Sequence, residues 1–264
     1  MSILEKMWAI GNKPHQKLAK AIVSHNLIQV KRLLQQGVDP NVFPFGQDGE
    51  PLIFRVFEKS SYELPPLKFG DRPQTRYRMT ADEECLRLLL AHGANVNARD
   101  SLGRTALEIA ILWCLPEIVK LLLLHGADPN LRDSHHLTPL MKATRWGIQD
   151  ARPTIDKLQI IRHLLDSGAD IDAQTPEGQT ALMMAVGNSR LEIAEFLVCC
   201  GASLTICDRQ ENRAADIISQ NISPTQQAYL RKILTQPQLN LVPDKYQKLV
   251  PEGDRLLAPL IIRE

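Results

Sequence analysis

The sequence predicts an all-α solenoid of stacked helix-turn-helix units with β-turn tips, and three observations carry that prediction. A glycine-centred segment recurs: Leu89-Leu-Ala-His-Gly-Ala-Asn-Val-Asn97, Leu122-Leu-Leu-His-Gly-Ala-Asp-Pro-Asn130, Leu164-Leu-Asp-Ser-Gly-Ala-Asp-Ile-Asp172, with Leu197-Val-Cys-Cys-Gly-Ala-Ser-Leu204 and Leu33-Leu-Gln-Gln-Gly-Val-Asp-Pro-Asn41 as further copies. Gly93 and Gly126 are 33 residues apart, as are Gly168 and Gly201; Gly37 to Gly93 is 56 and Gly126 to Gly168 is 42, so the period is 33 with insertions of 23 and nine. Twelve residues after three of these glycines stands a second motif, Thr105-Ala-Leu107, Thr138-Pro-Leu140 and Thr180-Ala-Leu182. Such a period implies stacked supersecondary units, none of which buries its apolar face alone.

Each element follows from local chemistry. Thr138 suits a helix N-cap, and Pro139 then falls at the first helical position, where a missing N–H costs nothing. Ala110, Ala143 and Ala185 sit inside the first helix of their units and are small enough for close helix approach. Glu117-Ile-Val-Lys-Leu-Leu-Leu-Leu124 has a wide apolar stripe, suited to a second helix packed between neighbours. Gly126 then stands where a helix end needs a left-handed residue. Thr80-Ala-Asp-Glu83 reads as a capping box for another second helix.

The pattern strongly resembles the ankyrin repeat: a turn Asp-x-x-Gly, Thr-Pro-Leu opening a first helix, a Leu-rich second helix, and Gly-Ala-Asp-x-Asn entering the next turn. The resemblance covers 16–234, between an N-terminal segment 1–15 and an apolar C-terminal tail 235–264. Six units are expected: 16–46 as a cap, with helices Lys17–Ser24 and Leu27–Gln36, then 47–99, 100–132, 133–174, 175–207, and a degenerate 208–234, in which Pro224 interrupts before Gln226–Leu234. Insertions at about 60–79 and 148–157 fall between the two helices of the second and fourth units. The His that closes Thr-Pro-Leu-His in the family is replaced by Glu108, Met141, Met183 and Asp216, so its hydrogen-bond network is expected to be missing and stability lowered. The turn Gly is kept at Gly103 and Gly178 but is His136 and Glu211 elsewhere, and distorted turns are expected there.

In this family partners meet the turn tips and the exposed side of the first helices, which form a concave groove. Carried onto this sequence, that implies a partner-binding set of Leu102, Arg104, His135, Leu137 and Gln179 at the tips, with Arg145. Trp113 and Trp146 lie 33 apart, each 13 residues after its unit's opening Asp, and join the set; the alternative is that both indoles pack as core beneath the insertions. The first insertion is basic and aromatic and adds Tyr77 and Arg78. Trp and Arg are over-represented among interface hot spots. The tail, which ends Leu256-Leu-Ala-Pro-Leu-Ile-Ile-Arg-Glu264, either docks on the last unit or recognises a partner.

Composition excludes other classes. A net charge of +1 over 264 residues gives no global reason to bind nucleic acid or an anionic membrane. Glu5 and Lys6 interrupt what would be a signal peptide's apolar run, no 18-residue apolar stretch occurs, and five irregularly spaced cysteines fit reduced thiols, so a cytoplasmic protein that is a monomer on its own is expected. His135-His136 lacks further metal ligands at converging spacing, and Cys199, Cys200 and Cys207 read as packing and turn residues. No nucleophile–base pair, phosphate loop or zinc spacing appears. The expectation is a non-catalytic protein-binding module without cofactor or metal, acting as adaptor, inhibitor or assembly factor. The alternative is a regulatory protein with a small-molecule or nucleotide pocket formed by the insertions.

Overall fold

A computed structural model of the chain describes residues 13–42, 51–57, 83–145, 154–218 and 223–235. The elements are α1 (Lys13–Val23), α2 (Leu27–Gln35), a 3₁₀ turn (Leu52–Val56), α3 (83–91), α4 (Ala106–Leu112), α5 (Pro116–Leu124), α6 (Pro139–Arg145), α7 (Thr154–Asp166), α8 (Ala181–Gly187), α9 (Leu191–Cys199) and α10 (Pro224–Thr235). The described residues contain no strand, only one isolated bridge between Arg99 and Thr105. The all-α expectation holds. The chain divides into two compact units, Met1–Ala106 with His125–Ala127, and Leu107–Leu124 with Asp128–Glu264.

In the first unit, α1 buries Leu18, Ala19, Ala21 and Ile22 against Val30, Leu33 and Leu34 of its hairpin partner α2. Asn26 caps α2 by accepting the Gln29 N–H at 3.1 Å, and Gly37, at φ +83°, ends the turn that follows. The second repeat has no regular first helix among its described residues: Leu52, Ile53, Phe54 and Val56 are buried from a short 3₁₀ turn that packs on α1. Asn41 ties the first repeat to the second, donating to the Gly93 carbonyl at 2.8 Å and accepting the Asn95 N–H at 2.7 Å. The capping box at Thr80 lies outside the described residues.

The second unit repeats one plan. Inner helices α4, α6 and α8 have seven residues each, outer helices α5 and α9 have nine, and α6 packs on α8 as α5 packs on α7. Ala110, Ala143 and Ala185 are all buried in the inner helices, as their size predicts. Helix α7 departs from the plan with 13 residues. Residues 154–157, expected as insertion loop, instead form an extra helical turn with Asp156 near the positive end of the helix dipole. The rest of both insertions, and the tail beyond residue 235, lie outside the described residues.

Asparagine columns tie successive repeats here too. Asn130 donates to the Gly168 carbonyl at 2.9 Å and accepts the Asp170 N–H at 2.8 Å, and Asp172 accepts the Ser203 N–H at 2.9 Å. A parallel column runs along the turns: Arg132 donates to the Gln174 carbonyl at 2.9 Å, and Gln174 donates to the Cys207 carbonyl at 3.3 Å. These bonds pair groups of neighbouring repeats, so they fix register as well as satisfying polar atoms. In the sixth repeat, residues 214–217 form only turns, with Ala214 buried. Pro224 does not interrupt the following helix but opens it.

Candidate functional site

The surface that the sequence singles out consists of the tips, and their construction begins with one side chain each. In the tip at 100–104, Asp100 Oδ1 accepts the backbone N–H groups of Leu102 and Arg104 at 2.9 and 2.7 Å, and Oδ2 takes the Arg104 guanidinium at 2.7 Å. The backbone closes the same loop from the other side, Asp100 N–H to Arg104 carbonyl at 2.9 Å. Asp133 repeats the arrangement with the N–H groups of His135 and Leu137, both at 2.8 Å, and Asp208 with those of Gln210 and Asn212, both at 2.9 Å. Thr175 substitutes a hydroxyl in the fifth repeat, with longer bonds of 3.2 Å to the N–H groups of Glu177 and Gln179. A carboxylate is the stronger acceptor of backbone N–H groups.

The third residue after each of these turn-opening side chains must be left-handed. Gly103 and Gly178 do this at φ +74° and +83°, and a Cβ on Gly178 would meet the Asp208 Cα at 2.9 Å. His136 and Glu211 adopt the same conformation at +60° and +63°. The expectation of distorted turns is therefore corrected: the geometry is kept, and the cost is backbone strain, which only glycine escapes.

What holds the His136 tip is a buried ionic triad. Lys142, on α6, reaches Glu108 Oε2 of α4 at 2.7 Å and Asp133 Oδ2 of the tip at 2.8 Å, with all three side chains less than a tenth exposed. Burial pushes the Asp133 carboxyl up, but the Lys142 hydrogen bond and charge, with the N–H groups of Leu137 and His135, outweigh it and leave the group below its usual value. Glu108 occupies the position where the family has His. The missing inter-repeat network is thus replaced here by charge: the ammonium joins the third repeat to the fourth. Met141, at the same position one repeat on, lies buried with its sulfur 3.5 Å from the Thr138 N–H. The sequence did carry a signal for Lys142, which stands four residues after Thr138 where Ile109 and Met184 follow Thr105 and Thr180.

The fifth and sixth tips are also joined, Arg209 N–H donating to the Glu177 carbonyl at 2.9 Å. Its own backbone N–H and the Thr175 hydroxyl hold the exposed Glu177 carboxyl below its ordinary value, with Arg209 and His136 contributing charge. Backbone N–H donation from Asn212 lowers Asp208 in the same way.

The predicted residues distribute as follows. In the first unit Leu102 is 68% exposed, and Arg104 is half-buried with its guanidinium held by Asp100. In the second unit His135 and Gln179 are exposed at their tips, Arg145 is exposed at the last residue of α6, and Trp113 is half-buried after α4, its backbone N–H donating to the Ile109 carbonyl at 3.0 Å. Leu137 is a correction: it is buried, because its side chain follows the tip inward to the core beside Thr138, and it offers no surface. Trp146, Tyr77 and Arg78 lie outside the described residues. No group of three or more His, Cys, Asp or Glu that could hold a metal occurs among the described residues, and no described helix is long and apolar enough to cross a membrane.

Paired helices in register, joined by hydrogen-bonded turns at their tips, define a tandem helical-repeat protein. A family model described as ankyrin repeats (3 copies) matches residues 66–133 and 116–210, more than half of the chain, and the chain belongs to the ankyrin repeat family. Among curated proteins it is similar to transient receptor potential cation channel subfamily V member 5 of Rattus norvegicus, 33% identical over 91 residues, 34% of this chain and 11% of that protein. It is likewise similar to subfamily V member 6 of Homo sapiens, 42% identical over 57 residues, 22% of this chain and 7% of that protein. The chain spans about a tenth or less of the length of these relatives.

Proposed function

We propose that this protein is a non-catalytic binding module that grips a protein surface with its turn tips and first helices. Ankyrin repeats commonly mediate protein–protein interaction, and stacked repeats present extended surfaces for it. The observation that carries the reading is Leu102: a large apolar side chain, 68% exposed, on a turn whose backbone is fixed by Asp100 from both sides. An exposed apolar group on rigid backbone loses little conformational freedom on binding, which favours affinity. Arg104, His135, Gln179, Arg145 and Trp113 extend the proposed contact set within their own units. The five cysteines, none of them in a disulfide, support a reducing, cytoplasmic setting.

The test is affinity capture with the intact chain, followed by quantitative binding of the captured partner to Leu102→Asp and to a paired Trp113→Ala, Arg145→Ala variant. Loss of roughly 2 kcal/mol per anchor, about thirtyfold in Kd, is expected if these residues are hot spots. Unchanged affinity in both variants, with melting temperatures also unchanged, refutes the assignment.

A further inference from the structure

The last described helix of the second unit, α10, carries a device separate from the tips. Six residues before each repeat glycine the sequence places Lys31, Arg87, Lys120 and Arg162, and then, in the fifth repeat alone, the acidic Glu195. Glu195 lies on α9, only 6% exposed, and its Oε1 accepts the hydroxyl of Tyr229 from α10. The sign changes at the repeat on which α10 rests.

Helix α10 carries its own N-terminal cap and is lightly held. Ser223 Oγ accepts the Gln226 N–H at 3.3 Å while Gln226 Oε1 accepts the Ser223 N–H at 3.1 Å, a reciprocal capping box with Pro224 at the first helical position. Its helicity therefore has local support. The sixth repeat supplies turns where a first helix would stand, and α10 packs on α9. Only Leu230, Ile233 and Leu234 of its 12 residues are buried, whereas α9 buries six of nine.

We infer that α10 is a separately releasable cap on the second unit, latched by the hydrogen bond from Tyr229 to the buried Glu195. The bond matters out of proportion to the small apolar contact, because without the hydroxyl the docked state would hold a buried carboxylate that has lost a donor. Burial, with the hydrogen bond to Glu195 and its charge, pushes the phenol up to about 12, so the latch is protonated throughout the neutral range. Removal of the phenolic hydroxyl by substitution opens the cap without touching the core of the preceding repeats. Neither Tyr229 nor Glu195 belongs to the tip surface.

Hydrogen exchange by mass spectrometry on the intact chain tests it, comparing wild type with Tyr229→Phe and Glu195→Gln. A hydrogen bond to a charged group shifts an opening equilibrium by roughly tenfold or more, so Tyr229→Phe is expected to speed exchange across 227–235 by about that factor while α8 and α9 hold their rates. Glu195→Gln keeps an acceptor oxygen and is expected to show a smaller effect. Acceleration under twofold in Tyr229→Phe, or a parallel acceleration in α8 and α9, overturns the inference.

Discussion

Replacing Lys142 by Met tests the buried triad most directly. The ammonium lies 2.7 Å from Glu108 Oε2 and 2.8 Å from Asp133 Oδ2, and solvent reaches less than a tenth of any of the three side chains. Removing one partner of a buried ionic group costs about 3–5 kcal/mol, because the remaining charge is left uncompensated. Two carboxylates would then face each other, yet Asp133 would keep the N–H groups of His135 and Leu137. The loss therefore falls mainly on Glu108, and about 3 kcal/mol is expected. Adding Glu108→Leu to Lys142→Met removes the stranded charge, and the double variant is expected to return to within roughly 1 kcal/mol of wild type. Urea unfolding of the intact chain, followed by circular dichroism, measures all three differences. A loss below about 1 kcal/mol in the single variant, or a double variant as damaged as the single, refutes the argument by showing that water relieves the site.

Two further outcomes follow from the same geometry. Burial and the Lys120 charge hold His163 of α7 below its usual 6.5, so the folded state binds fewer protons than the unfolded chain near and below that pH. Its contribution to stability is present above 6.5 and is lost as pH falls through the folded value; thermal melts at pH 7 and pH 5 are expected to show a drop that His163→Asn reduces, and an identical drop would exclude this residue as the source. The turn positions give the second outcome: His136→Gly, which relieves φ +60°, is expected to stabilise by about 0.5–1 kcal/mol, whereas Gly178→Ala is expected to destabilise, since its Cβ meets the Asp208 backbone at 2.9 Å. Equal effects of the two changes in urea titrations would remove the distinction.

The helices were legible because each repeats the same local instructions. Thr180 caps α8 through the Met183 N–H at 3.3 Å, as a Thr before an apolar run predicts, and Gly126, Gly168 and Gly201 all take φ near +85° to +90°. The period then aligned those instructions, so fold class and most outer helices followed. Where an insertion met a helix the reading failed, because residues 154–157 carry no opposing signal: Thr154 and Asp156 suit a loop or a first helical turn equally, and the buried stripe beginning at Leu158 decides for the helix.

The candidate site was less legible, and Leu137 and Lys142 show why. A period assigns residues to columns but does not say what stands beside a column in the next repeat. Leu137 shares its column with Arg104 and Gln179 and was placed with them at the surface, yet the leucine is buried while they retain exposure. Lys142 shares its column with Ile109 and Met184, and its charge is tolerable there only because Glu108, 34 residues earlier, and Asp133 of its own tip converge on it. Neither carboxylate alone marks the position: Glu108 reads as a lost family His, and Asp133 as an ordinary turn residue. The coupling appears only when the two repeats are stacked. It follows that the His136 tip, strained at its own backbone, is supported from the preceding repeat, and that a substitution at Glu108 should be felt at a tip it does not touch.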